Sequence, residues 1–486
     1  MSHIATQEQW SSRRGFLLSA IGFSVGLGNI WRFPYVVGEN GGSAFVIIYL
    51  LCAFAIGLPL LVSELAIGRL GRLDPAGSYR AVATNAGRST AWGLVGTLAI
   101  ACVFAVLSFY TVISGWTFDY FVRALTGSFE GIDAEASTAM FAGLLNNPWR
   151  LLFWHTVVNL LVILIIRRGV QEGVERAAKI LMPILFGALI VMVIYSAFAG
   201  DLASATRFLL EPDFSKVTAK TVMIAVGQAF FSVGVAMATM ITFGAYLPET
   251  FSIPKSSAII ILADTGVAML AGFVIFPLVF KFGLTPSEGA GLVFQTLPIA
   301  FGQMPGGLIF GAILFLLLIV AALSSCLGGA EAVVSWVDAR WNIPRQKGIL
   351  YFVGTIWLIG ITTILSLGEW SDFYPLSFIP ALAEETIFDV LEWLAANILL
   401  LIGAALTSIF FGWLVPKKRK LEGMGIRDGM FYAYANTMMR YVIPPILVIA
   451  LILGLMEREA FLPQGSVARV CGRSKKGAVL TAARPL

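Results

Sequence analysis

Eleven stretches of this chain are long and apolar enough to cross a bilayer, and that pattern limits its fold more than any motif does. They lie near 16–37, 43–68, 92–124, 150–166, 177–199, 219–246, 256–282, 306–337, 348–366, 388–415 and 438–456. A hydrocarbon core takes about 20 apolar residues per helix, and backbone polar groups inside lipid must be paired within the protein. Blocks of this length therefore predict an all-α membrane protein with 11 transmembrane helices. Composition agrees: 58% of the 486 residues are hydrophobic and 13% charged, with a mean hydropathy of +0.86, more apolar than a soluble fold can cover.

The charges between the blocks are sorted by side. Arg13 and Arg14, then Arg69, Arg72, Arg80 and Arg88, then Arg167 and Arg168, then Arg340, Arg345 and Lys347, then Lys417, Lys418, Arg419 and Lys420 share one side. The opposite loops carry Glu130, Asp133, Glu135, Asp201, Glu369, Asp372, Glu384 and Glu385. The positive-inside bias then predicts a cytoplasmic N-terminus and a place in the plasma (inner) membrane. The net charge of +5 argues for orientation, not for nucleic-acid binding. Cys52, Cys102, Cys326 and Cys471 show no disulfide or metal-ligand spacing, and His3 and His155 stand alone. No nucleophile and base are set out as an enzyme needs.

Two blocks are interrupted in matching ways. The first contains GFSVGLGNIWRFP at 22–34, broken at Ser24–Gly28, and the sixth contains GQAFFSVGVAM at 227–237, broken at Ser232–Gly234. Corresponding interruptions in two halves point to a transporter built from an inverted repeat, with its sites at midmembrane, where freed carbonyls line a cavity. For any single glycine or serine, close helix packing is the plainer reading. The organisation expected is a cytoplasmic segment at 1–15, a transporter domain at 16–456 and a disordered basic tail at 457–486. Within the domain the first repeat covers about 16–199, the second about 219–415, and a last helix about 438–456.

The run GFSVGLGNIWRFPYVVGENGGSAF closely resembles the first-helix signature of the neurotransmitter:sodium symporter family. SELAIGR at 63–69, SFYTVISGW at 108–116, VGQAFFSV and AALSSCLGG at 321–329 extend the likeness over nearly the whole chain apart from the tail. The resemblance implies a LeuT-like five-plus-five inverted repeat, helices 1 and 6 broken at midmembrane, alternating access, and Na+ in two sites.

By that resemblance the first sodium site uses the Ser24 carbonyl, the side chains of Asn29 and Asp264, Ser232, and the carboxylate of the substrate itself. The second uses the carbonyls of Gly22, Val25 and Ala321 with the hydroxyls of Ser324 and Ser325. The substrate carboxylate would meet amides near Leu27 and Gly28 and the Tyr110 hydroxyl. Its ammonium would meet the carbonyls of Ser24, Phe231 and Ser232 and the Ser325 hydroxyl. Its side chain would touch Val25, Val106, Ile113, Phe231, Gly234, Met237 and Gly329. An outer gate pairs Arg32 with Glu392 above a lid of Tyr110 and Phe231, closing by water-mediated or direct contact. The inner gate departs from the family pattern: Gln7 stands where an arginine is usual and Asp338 falls one residue early, leaving Trp10 and Tyr246 as a plug.

Departures narrow the substrate. Monoamine-transporting members carry an aspartate where this chain has Gly26, so a substrate here must bring its own carboxylate, as an amino acid does. Gly234 and Gly329 replace larger side chains of a leucine-transporting relative and suggest room for a hydrophobic or aromatic L-amino acid. Chloride-dependent members have asparagine and serine where this chain has Asp264 and Ala268. An intramembrane carboxylate is a functional hypothesis by default, and here it would supply the charge that chloride supplies elsewhere. Another small zwitterion or osmolyte, and an amino-acid sensor with the same fold, remain as alternatives; oligomeric state is open.

Overall fold

The computed structural model describes residues 9–284, 291–341, 343–379 and 382–456. The expected tail at 457–486 and residues 1–8 of the N-terminal segment lie outside them. Among the described residues there are helices and no strands.

The first block splits into α1 (Arg13–Ser24) and α2 (Gly28–Glu39), bent by 49°. Ser12 starts α1 by accepting the Gly15 N–H on its hydroxyl. At the other end Val25 still bonds Ile21 O at 2.7 Å. The Gly26 N–H then turns to Ser24 O and to Asn29 Oδ1, at 3.2 Å, so the asparagine holds the break from within. There follow α3 (Ser43–Gly71), α4 (Thr90–Leu125), α5 (Pro148–Ile166) and α6 (Val170–Ala199). The sixth block splits into α7 (Ala219–Val233) and α8 (Thr239–Ala245). Gly234 stops α7 at φ +70°, a left-handed conformation that glycine adopts without strain. The chain continues as α9 (Ile253–Lys281), α10 (Gly307–Trp341), α11 (Arg345–Leu367), α12 (Ile387–Leu414) and α13 (Met430–Leu455).

The helix count differs from the expected eleven. Among the described residues nine helices are long and apolar enough to cross a membrane, or ten with the bent first pair counted as one span. The sixth block drops out of that count because its break leaves α7 too short and α8 shorter still.

Helices α4 and α10 pack along one another and form the scaffold, with 67% and 72% of their apolar windows buried, against 28% for α6 and α13 at the periphery. Helix α1 rests on α10, α6 and α9, and α8 rests on α3. The plain packing reading holds for Gly68 and Gly244, which let α3 and α8 touch backbone to backbone. A Cβ added at Gly68 would come within 2.8 Å of Ala245 N.

Candidate functional site

The two breaks meet. Ser24 Oγ, at the end of α1, donates to Val233 O at the end of α7 across 3.0 Å. Next to them Asp264 of α9 is wholly buried. Its Oδ1 accepts Asn29 Nδ2 at 2.7 Å and its Oδ2 accepts Ser232 Oγ at 2.6 Å. Ser232 in turn receives Asn29 Nδ2 at 3.0 Å and lies 3.2 Å from the Tyr49 hydroxyl. Hydrogen bonds to a charged partner contribute on the order of 1.5–3 kcal/mol each, which offsets the burial of the carboxylate. The oxygens of this group, with one carboxyl among them, are hard ligands of the kind that suits a monovalent hard cation such as Na+. Among the described residues no group of three or more His, Cys, Asp or Glu could hold a metal ion in the usual way.

A second group of oxygens lies between α1 and α10. Ser324 Oγ and Ser325 Oγ donate to Ala321 O at 2.9 and 3.2 Å, and Ser325 Oγ also reaches Phe23 O at 3.0 Å. Gly22 faces them so closely that an added Cβ would lie 3.2 Å from Ser324 Cβ. Val25, fully buried, follows at the end of α1.

Beside both groups is a cavity with about 50 Å3 open to the centre of a water molecule. Ser24, Gly28, Val106, Tyr110, Phe231, Gly234, Met237, Ser325 and Gly329 line it, as the resemblance implies. Val25, Leu27, Ile113 and Ser232 do not, although the Leu27 N–H donates to Tyr110 OH at 3.0 Å behind the wall. Phe23, Gly26, Asn29, Val103 and Leu107 line it as well. A Cβ at Gly26 would stand 2.6 Å from Ser325 Oγ and 2.9 Å from Tyr110 OH, so a side chain here would have to displace both hydroxyls.

The expected room at Gly234 and Gly329 needs correction. The Phe23 ring packs on Gly234, where a Cβ would lie 2.6 Å from its Cε1, and on Gly328, where a Cβ would lie 2.7 Å from its Cδ2. Val103 and Leu107 occupy the space next to Gly329, with a Cβ 2.9 Å from Val103 Cγ2. The glycines make room for these neighbours first.

At the gates, Arg32 meets the expected Phe231 lid, and the departure is at Asp338. The Arg32 guanidinium lies 4.7 Å from the Phe231 ring centroid, a cation–π contact, and among the described residues no ion pair joins it to Glu392. On the inner side Trp10 and Tyr246 do come together: the Trp10 N–H bonds Tyr246 O at 3.3 Å and its indole N–H bonds Phe243 O at 3.0 Å. Asp338 is exposed near the end of α10. The acid beside Tyr246 is Glu331, about two turns earlier, which accepts the Tyr246 hydroxyl at 3.2 Å and is ion-paired to Arg345. Arg13 and Arg14 are exposed. Glu175 of α6 holds the segment by accepting Ser11 N at 2.9 Å and Ser12 Oγ at 3.2 Å.

Sequence reasoning also missed Glu64 of SELAIGR. It is buried in α3, and its Oε1 accepts the Ala236 N–H at 2.6 Å in the break of the sixth block. The signal was available, since Glu64 and Glu331 are both carboxylates inside apolar blocks, the rule that singled out Asp264. Phe23, which stands beside the break in the sequence and could be expected to refill space in the pocket, does so.

Broken helices that face each other across a buried carboxylate are the architecture of secondary transporters that bind cargo at midmembrane. Comparison with known proteins narrows the class: the model of the sodium:neurotransmitter symporter family matches residues 7–138 and 142–462, and the chain belongs to that family. It is 36% identical over 456 residues to the uncharacterized sodium-dependent transporter YhdH of Bacillus subtilis, covering 93% of this chain and 98% of the relative. It is 30% identical over 456 residues to an uncharacterized sodium-dependent transporter of Haemophilus influenzae, covering 92% and 98%. Among solved structures it matches MhsT in complex with L-phenylalanine, with 35% identity and a TM-score of 0.84 over 92% of this chain and 99% of that one. The protein is a sodium-dependent, multi-pass membrane transporter of the LeuT fold, not an enzyme.

Proposed function

We propose that this transporter couples inward movement of Na+ to uptake of a hydrophobic or aromatic L-amino acid by alternating access, without chloride, from a plasma membrane in which its N-terminus is cytoplasmic. The carrying observation is the wall at Gly26, which bears no side chain and is closed over by the hydroxyls of Ser325 and Tyr110, so the protein offers no carboxylate there. The amine of a bound substrate then has no anionic partner at that wall. A substrate with its own carboxylate brings the charge with it and can share it with a cation beside Asn29. The cavity walls that remain are apolar and aromatic, which favours an apolar side chain, and the relative MhsT is described with L-phenylalanine bound.

Two sodium ions would be held by the sets around Asp264 and around Ala321, Ser324 and Ser325. Asp264 supplies a fixed negative charge at the first, so the anion need not come from solution. The pairing of Asn29 with Asp264 ties that charge to the broken first helix. Sodium and substrate therefore act on the same two breaks, and filling both would favour the closed arrangement of α1 and α7.

A smaller zwitterion or osmolyte is the second reading, favoured by the Phe23 ring, which takes up space beside Gly234 and Gly328. Purified protein in liposomes with an imposed Na+ gradient, challenged with the standard amino acids and with betaine-like zwitterions, separates the two. Saturable uptake of phenylalanine, tyrosine, tryptophan or leucine that vanishes when the gradient is dissipated supports the first reading. Uptake confined to small zwitterions overturns it, and binding without uptake points to a sensor.

A further inference from the structure

A cavity of about 430 Å3, several times the central one, opens between α4, α10 and α11. Its floor is Ile100, Val333, Val337 and Phe352, all buried, while its rim is Trp341 and Tyr351, which are 56% and 63% exposed. Trp336 and Trp341 make one corner, with ring centroids 5.1 Å apart at 79°, and Phe104 packs on Phe352 at 5.8 Å. The two threonine hydroxyls of the groove, on Thr97 and Thr355, already donate within their own helices, to Gly93 O at 3.3 Å and Tyr351 O at 2.7 Å. The polar groups that remain, the Tyr351 hydroxyl and the indole N–H groups of Trp336 and Trp341, are uncharged, so nothing in the groove pairs with the two charges of a zwitterion. Its occupant is apolar along its length.

The charge at the mouth says what else the occupant carries. Arg340 lies one turn after Trp336 and next to Trp341, and Lys347 lies one turn before Tyr351; both cations are exposed. The stretch 93–104 of α4 and the stretch 345–355 of α11 contain no acid. Of the acids on α10 near the groove, Glu331 is held by Arg345 and Asp338 is exposed. Tryptophan and tyrosine favour the headgroup level of a bilayer, and basic residues there attract anionic lipid.

We propose that this groove binds an anionic phospholipid, with an acyl chain lying along α10 between Trp336 and Phe352 and the phosphate at Arg340 and Lys347. The basic residues mark the headgroup level whichever way the helices are oriented, so the site does not depend on the assignment of the substrate.

The test uses the full chain, purified and delipidated, with phosphatidylglycerol or phosphatidylcholine of identical acyl chains added back and read by native mass spectrometry. Phosphatidylglycerol should be retained about fivefold or more over phosphatidylcholine. Replacing Arg340→Gln together with Lys347→Gln should abolish that preference while Na+-dependent substrate binding persists. Thr355→Trp, a change at an exposed rim position, should displace both lipids, and thermal unfolding would verify that each variant is folded. Equal retention of the two lipids by the parent protein would overturn the proposal, as would a dimer that Thr355→Trp dissociates, since the occupant would then be a second copy of this chain.

Discussion

Asn29 Nδ2 lies 2.7 Å from Asp264 Oδ1, so the break in the first helix hydrogen-bonds directly to a carboxylate with no exposed surface. The other oxygen of that carboxylate takes Ser232, from the end of α7. One carboxyl group thus touches both broken segments. Asp264→Asn keeps the shape and removes the charge. In liposomes the parent protein should transport equally with chloride or gluconate, whereas the variant should lose about tenfold or more of its uptake in gluconate and recover part of it in chloride. A parent protein that stops in gluconate would refute the chloride-free reading.

Gly26→Ala places a methyl group 2.6 Å from Ser325 Oγ and 2.9 Å from Tyr110 OH. We expect amino-acid binding to weaken by about tenfold or more, because these hydroxyls line the cavity, while Na+ still raises the melting temperature. Scintillation proximity binding against radiolabelled phenylalanine measures it, and unchanged affinity would remove the wall at Gly26 from the argument for substrate class.

Glu64 stabilises an unusual backbone. Ala236 and Ala238 have φ of +61° and +62°, conformations that cost a non-glycine residue of order 1–3 kcal/mol each. The bond from the Ala236 N–H to Glu64 offsets part of this. Glu64→Ala should lower stability by about 1–3 kcal/mol through the lost partner, seen as a lower melting temperature. Glu64→Gln, whose side-chain oxygen still accepts, should restore part of it.

The inner plug should depend on Arg345 and not on Asp338. Arg345→Gln removes the ion pair of Glu331 beside Tyr246, so a reporter Ala245→Cys, with native cysteines replaced, should react faster with a thiol reagent added from the inner side. Asp338→Asn, at an exposed position, should leave the rate unchanged. The reverse order of effects would restore Asp338 as the latch.

Between α12 and α13, Lys420 is buried, with its ammonium on Gly412 O at 2.5 Å and Asn436 Oδ1 at 2.8 Å. Burial, and then the neighbouring Arg440, pull its pKa down to about 7, below about 10.4 for an unfolded lysine. Below pH 7 both states are protonated and the full cost of burying the charge is present. Between about 7 and 10 the unfolded chain binds a proton that the folded one does not, so the folded state gains as pH rises. The melting temperature of the parent protein should therefore climb relative to Lys420→Met from pH 7 to pH 9.5. A constant difference across that range would contradict the shift.

Local rules imposed by lipid made much of this molecule readable before folding was considered. The apolar blocks, the breaks at Ser24–Gly28 and Ser232–Gly234, and the cost of an acid such as Asp264 follow from each segment alone, because a bilayer leaves no water to satisfy a stray polar group. Those features pointed to the broken helices, and the quoted motifs to the family. What surrounds each break depended on distant residues. Phe23 fills the space left by Gly234, Glu64 crosses from α3 to the Ala236 amide, Arg32 rests on Phe231, and Glu331 takes the place expected of Asp338. Sequence spacing carries no distance between separate helices, whereas packing at interior density lets one ring or one carboxylate occupy only the gap its neighbours leave. The kind of machine was determined by the sequence itself, and the shape of its cavity and the partners at its gates were decided by tertiary contact.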